Sequence, residues 1–233
     1  MPTEPTSAVR TTARPAKFSL AANYDPELIP TLAAYPVDEV YGKFPADGVS
    51  GGRPRYLATP LSEADLGRYI NVLDRHDIAF NYLLNGACFG NREWTRPWQK
   101  RVTALLSKLG NLGVHRVTVS TPFLLELVKR RFPEFKVRVG IYAQVDTPRR
   151  ARFWEELGAD AITLESFSIN RDFHRLAAIR QAVSCGLQLI ANHACFLNCP
   201  LQTYHQNGFA HASDDTSTLF IDYCFLRCSR LRL

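Results

Sequence analysis

Nowhere does this chain carry the ~18 consecutive apolar residues that a membrane-spanning helix needs, an absence that sets a helical membrane protein aside. Its opening residues, Met1 to Lys17, are rich in Pro, Thr and Ala and lack the apolar core of a secretory signal. Residues 1–16 read as a disordered leader, and a cytoplasmic location with no membrane partner is expected. Lysine is scarce, with six residues, so Arg supplies most of the formal net charge of +6. The basic residues are dispersed. Their short clusters, Lys129-Arg130-Arg131 and Arg149-Arg150, fall in amphipathic segments, where charge runs are solvated helix faces. No RRM, KH or helix-turn-helix signature accompanies the charge. The H-E-x-x-H zinc motif is missing as well.

What is present is an ordinary globular composition, 46% hydrophobic and 21% charged, in a chain long enough to bury a core without disulfides. β-rich runs alternate with amphipathic helical runs from Lys17 onward. Phe18 to Tyr24 reads as a first strand, and Asp25-Pro26 opens a helix with a capping carboxylate and Pro at its first position. Asp38 to Gly42 is a second strand, and the glycine-bearing stretch from Lys43 to Pro60 is loop. Ser62 caps a helix to about His76, with Leu66, Tyr69, Ile70 and Leu73 on one face. Ala79 to Leu84, His115 to Ser120, Lys136 to Tyr142, Asp160 to Glu165 and Leu187 to Asn192 are further strands. Helices from Pro97, Thr121, Thr147 and Arg171 separate them, and Gly113, Gly158 and Gly186 read as helix stops.

Strict alternation implies parallel strands and right-handed crossovers. Seven such units predict an α/β fold of the (β/α)8-barrel type over residues 17–192, followed by a cysteine-rich segment over residues 193–233. The eighth unit is missing. Phe220 to Cys224 reads either as a strand or as part of the cysteine segment, so the barrel is expected to be incomplete or the chain truncated. An open doubly wound sheet is the alternative.

Six cysteines occur, and four form two C-x3-C pairs, Cys195 with Cys199 and Cys224 with Cys228. Three intervening residues can bring two sulfurs to one face of a helical turn, and four converging thiolates suit a [4Fe-4S] cluster. Zinc also takes four thiolates, though its knuckles favour C-x2-C, and buried structural cysteine is the plain alternative. Disulfides are disfavoured in a reducing compartment. The first pair follows the seventh strand at the C-terminal face, where barrel active sites are built. Cys88 follows the third strand at the same face, whereas Cys185 ends a helix at the opposite one.

The same pattern resembles peptidase family U32. The resemblance runs through Val40-Tyr41-Gly42, Tyr82 to Asn85 with Cys88 to Glu93, and Ile162 to Ser166 with Asn170 to Phe173. It is strongest in Leu189-Ile-Ala-Asn-His-Ala-Cys195, Cys199-Pro200, His211-Ala-Ser213 and Asp222-Tyr-Cys224 to Cys228. It implies a barrel carrying a four-cysteine [4Fe-4S] site, with Cys195, Cys199, Cys224 and Cys228 as ligands. It further implies oxygen-independent hydroxylation of a small molecule, such as a ubiquinone precursor, or of RNA, and a heterodimer with a related family member. Peptidase activity and an accessory scaffold with a structural metal are the alternatives it leaves open.

Residues at strand C-termini carry the expected chemistry. Glu165, His193 and Asn85 are the candidate catalytic groups, Glu165 as acid or base and His193 as proton relay beside the first cysteine. Asn23, Tyr41, Arg92 and Asn192 are the candidate substrate-binding groups, and Arg92 can grip a carboxylate bidentately or pair with Glu93. Asn85, Glu165 and Asn192 are expected to floor one pocket under the cysteine segment. The plainer reading is that such side chains satisfy loop backbone.

Overall fold

Short Val- and Ile-rich runs alternate with amphipathic helices because each strand is covered on one face by the helix that follows it. The computed structural model describes residues 15–45, 47–55, 58–193, 195, 199–214 and 226–230. The expected strand over 220–224 and most of the expected leader lie outside them. Seven strands form one sheet: β1 (Phe18–Ala21), β2 (Val37–Gly42), β3 (Ala79–Leu84), β4 (Arg116–Val119), β5 (Lys136–Val139), β6 (Ala161–Thr163) and β7 (Gly186–Gln188). The helices are α1 (Ile29–Leu32), α2 (Glu63–Asp74), α3 (Arg96–Asn111), α4 (Pro122–Arg131), α5 (Pro148–Glu156), α6 (Phe173–Ala182) and α7 (Gln202–Ala212). None is long and apolar enough to cross a membrane, among the described residues.

Every neighbouring pair is parallel and the order is β1-β2-β3-β4-β5-β6-β7. A doubly wound sheet reverses its order at a switch point. This one never does, which overturns the doubly wound alternative. Constant-handed crossovers curl the sheet into an incomplete (β/α)8 barrel, and no described strand pairs with the outer edges of β1 and β7.

The elements fall close to their sequence signals, with instructive differences. Ser62 caps α2 in a reciprocal capping box with Asp65, and the Asp25 side chain accepts from Glu27 N (2.9 Å) at the expected helix start, where a 3-10 turn leads into α1. β5 stops at Val139, because Gly140 leads into a 3-10 turn over Ile141–Ala143 that ends on Gln144 in the left-handed region. Gly186 is not a helix stop. It begins β7, packed so closely on β6 that a Cβ there would lie 3.1 Å from Ala161 Cβ. Instead, the end of α6 is held by Arg180, which donates to the carbonyls of Val183 and Cys185.

The two faces of the sheet are chemically opposite. Val40, Tyr82, Leu84, Val117, Val119, Val137, Val139 and Ile162 point outward and are essentially fully buried under the helices. The inner face, filled with branched aliphatics in most such barrels, is polar here. Glu39 of β2 accepts from Ser19 of β1 (2.7 Å), from Asn81 of β3 (3.3 Å) and from Arg116 of β4 (3.3 Å). It also forms an ion pair with Arg138 of β5, and Thr118 donates to Asn81 (2.8 Å). Burial alone would raise the Glu39 carboxyl, but the bond and charge of Arg138 outweigh it and hold the group below its ordinary range.

Glu39 is wholly inaccessible, so Glu39→Ala leaves Arg138 as an uncompensated buried charge. The expected cost is about 3 kcal/mol, read as a lowered urea midpoint. Because the folded carboxyl lies below its unfolded value, this contribution is present above the ordinary glutamate range and is lost as pH falls through the folded value. The wild-type midpoint should therefore fall in acid more steeply than that of Glu39→Gln.

Candidate functional site

Because the inner face is filled by polar groups around Glu39, the space above them, at the strand C-termini, is left hollow. A cavity of about 290 Å³ opens there, with Tyr41, Asn85, Tyr142, Lys43 and Ser213 in its wall. Tyr41 is the penultimate residue of β2 and Asn85 follows β3. The side-chain oxygen of Asn85 accepts from Gly52 N (3.1 Å), and the Tyr142 hydroxyl donates to Gly52 O (3.2 Å). A Cβ on Gly52 would stand 2.7 Å from the Tyr142 ring, so only glycine allows this approach. Tyr24 closes another side, its hydroxyl accepting from Lys43 N (3.0 Å) and donating to Lys43 O (3.2 Å). Lys43 itself is committed, donating to Val49 O (2.6 Å) and pairing with Asp47 (3.2 Å).

The helix α7, which lies between the two cysteine pairs in sequence, is fastened over this mouth. Ser213 Oγ accepts from Gly51 N (2.7 Å) and donates to Ala210 O (2.7 Å). Asp214 pairs with Arg92, whose remaining donors reach Phe89 O (2.9 Å) and Ser50 Oγ (3.3 Å). Gln144 donates to Gln206 (3.2 Å). Arg92 therefore holds Asp214 rather than Glu93.

Cys195 is exposed, while Cys88, Cys185, Cys199 and Cys228 are half-buried free thiols. Cys224 lies outside the described residues. The Tyr142 phenol is pushed up to about 12 by burial and, to a smaller extent, by the charge of the Cys195 sulfur. Cys88 Sγ accepts from Gly90 N (3.3 Å). The Cys185 thiol is pushed up to about 11, by burial first and by Glu155 second. Among the described residues, no three His, Cys, Asp or Glu side chains converge as a metal site.

The expected trio does not share one floor. Asn85 lines the cavity, whereas Glu165 lines a smaller polar hollow with Gln144, Asp146 and Arg150, and Asn192 is exposed. The Glu165 carboxylate accepts from Phe167 N (2.5 Å), Ser168 N (2.8 Å) and Ser168 Oγ (2.6 Å). His193 contacts Ser166 Oγ through Nδ1, stands edge-on to Phe167, and is held below the usual histidine range by burial, with Glu165 opposing. Asn23 is exposed, its side chain accepting from Asp25 N (3.1 Å). The sequence reading passed over Tyr142, which its fifth strand absorbs, and gave no role to Ser213, which it quoted only as part of the family resemblance.

It also passed over Gly48-Val-Ser-Gly-Gly52, which has the G-x-S-x-G spacing of a nucleophile elbow. An elbow needs a strand-to-helix turn that exposes its serine. Here the motif lies in the loop between β2 and α2, and Ser50 is fully buried.

Glu165→Gln replaces one acceptor oxygen by an NH2 group facing backbone donors. It is expected to cost about 1–3 kcal/mol, measured as a lowered denaturation midpoint. A purely chemical role for Glu165 would leave that midpoint unmoved.

Residues 25–196 match peptidase family U32. A protein of Methanocaldococcus jannaschii named an uncharacterized protease is 37% identical over 195 residues, which cover 84% of this chain and 57% of that protein. This chain therefore spans somewhat more than half the length of that relative. The solved structure of the U32 peptidase Mk0906 superposes with a TM-score of 0.71 at 23% identity, covering 89% of this chain and 81% of that one. The extent of the family match and the identity to the archaeal relative together show that the chain belongs to peptidase family U32.

Proposed function

We propose that this chain is an iron-sulfur protein that catalyses or supports an oxygen-independent hydroxylation, or a related redox modification, of a small molecule or RNA at the barrel mouth. The observation that carries the reading is the paired C-x3-C motif, Cys195 with Cys199 and Cys224 with Cys228, flanking in sequence the helix α7 that Ser213 fastens over the mouth of the 290 Å³ cavity. Cys195, Cys199, Cys224 and Cys228 would hold a [4Fe-4S] cluster. The donor set fits, since Cys199 and Cys228 are free thiols and thiolate is the ligand such clusters take. When bound, the cluster supplies one-electron redox chemistry. The chain's own groups do the rest. Tyr41 and Asn85 line the substrate space, and α7 covers it through Ser213 and Asp214. His193 offers a proton-exchanging ring next to the first ligand.

A second reading, peptide hydrolysis, draws on the names of the relatives and on the Ser166–His193 hydrogen bond, which pairs a hydroxyl with a base. Against it, the adjacent Glu165 carboxylate is taken up by loop amides and not by His193. Fluorophosphonate labelling of Ser166 would favour hydrolysis.

Anaerobic purification is expected to give a brown protein containing iron and sulfide. Single changes of Cys195, Cys199, Cys224 or Cys228 to Ala should each strip the metal, while Cys185→Ala should retain it. A colourless protein with stoichiometric zinc, or full iron in two of the four variants, would sink the proposal.

A further inference from the structure

We infer that Lys43 is a nucleophile of the cavity at the barrel mouth, its amine condensing with the carbonyl group of a small aldehyde or ketone to form an imine, with Asp47 as proton acceptor. The inference rests on reading this cavity as ligand space and adds a covalent means of holding what enters it.

The chain places this lysine where barrel chemistry is built. Gly42 is the last residue of β2 and Lys43 follows it, at the C-terminal rim and in the wall of the cavity. The side chains of Lys43 and Asp47 are only 9% and 2% exposed. A lysine that served structure alone would engage all three of its N–H donors. Lys43 engages two, on Val49 O (2.6 Å) and towards Asp47 Oδ1 (3.2 Å), and the third has no acceptor among the described residues. A Cβ on Gly51 would lie 2.9 Å from Nζ, so this glycine leaves the room in which the amine stands.

Asp47 is set to receive a proton. Its Oδ1 accepts from Val49 N (2.9 Å) and its Oδ2 from the Tyr82 hydroxyl (2.6 Å), while Tyr82 accepts from Phe44 N (3.1 Å). Burial, and then the charge of Asp47, push the Tyr82 phenol well above its ordinary range. Tyr82 therefore stays a donor and does not compete as a base. An amine shielded from water beside a proton acceptor is the arrangement that condenses with carbonyls. Asp47 takes one proton from the Lys43 ammonium, and the nitrogen lone pair adds to the carbonyl carbon. A C–N bond forms, the C=O π bond breaks, and a second proton moves from nitrogen to oxygen to give a carbinolamine. The hydroxyl then leaves as water with the proton returned by Asp47, and the protonated imine remains. One water is released and nothing is oxidised or reduced. In the same cavity Asn85, whose side-chain oxygen is taken by Gly52 N, keeps its NH2 group for the carbonyl oxygen.

The test is reductive trapping on the full chain, with and without reconstituted iron. Cyclohexanone, a neutral ketone that fits a volume of about 290 Å³, is added with cyanoborohydride, and the six lysines are compared by peptide mass spectrometry. The reduced adduct should form on Lys43 at least tenfold faster than on Lys136, whose side chain is 71% exposed. Unfolding in urea should cancel that preference. Lys43→Arg, which keeps a cation beside Asp47, should lose the adduct with unchanged thermal unfolding. Adducts spread according to exposure would overturn the inference, as would a Lys43 that takes no label or an undiminished total yield in Lys43→Arg. Equal labelling of Lys43 with and without iron leaves the inference standing whatever becomes of the cluster. An iron-loaded protein whose Lys43 stays unlabelled overturns this inference alone.

Discussion

A buried carboxylate sets what the rest of this fold can be. Glu39 of β2 touches Ser19 of β1, Asn81 of β3, Arg116 of β4 and Arg138 of β5. In a flat sheet, β2 and β5 would lie about 14 Å apart, too far for a direct Glu–Arg contact with side chains standing parallel. The contact is available only because the sheet curls, and once formed it ties five strands across the interior. Without its partners the carboxylate would be a severe liability in that interior. Its network thus favours the curled arrangement over open ones that leave it unpaired. The apolar driving force acts on the other face, where Val, Ile and Leu side chains meet the helices. Polar inside and apolar outside is the reverse of what a barrel interior usually shows, and it leaves the mouth above Glu39 both hollow and hydrophilic.

That reversal also explains which features were legible in the sequence. Seven strands could be read because their outward residues are Val, Ile and Leu runs bounded by caps and glycines, Ser62 and Gly113 among them. The caps work locally, so they can be read locally. β5 was drawn too long because Ile141-Tyr142 continues an apolar-looking run, while the turn that ends the strand is set by the backbone at Gly140 and Gln144. That error hid Tyr142. Glu39 and Arg138 carry no local mark of being partners, since they are separated by 99 residues and meet only through the curl.

Among the candidate site residues, position at a strand end was a sound guide to location and a poor one to role. Tyr41 and Asn85 do reach the cavity. Glu165 lies two residues past the end of β6, and its carboxylate folds back onto Phe167 and Ser168, a use that the Glu-Ser-Phe-Ser sequence, with donors two and three residues on, foreshadows. Arg92 was expected to hold a carboxylate. It does, but the carboxylate is Asp214 of the chain itself.

The cavity and the cysteine segment are joined through the Gly51-Gly52 turn. The charge of Cys195 reaches Tyr142, Tyr142 and Asn85 clasp opposite ends of Gly52, and Gly51 donates to Ser213 just past the end of α7. α7 in turn begins three residues after Cys199. This explains why the loop between β2 and α2, irregular as it is, has Val49, Ser50 and Gly51 buried: it is packed between the barrel and the segment above. Under the proposed ligation, fixing Cys195 and Cys199 to one metal centre would fix both ends of this path.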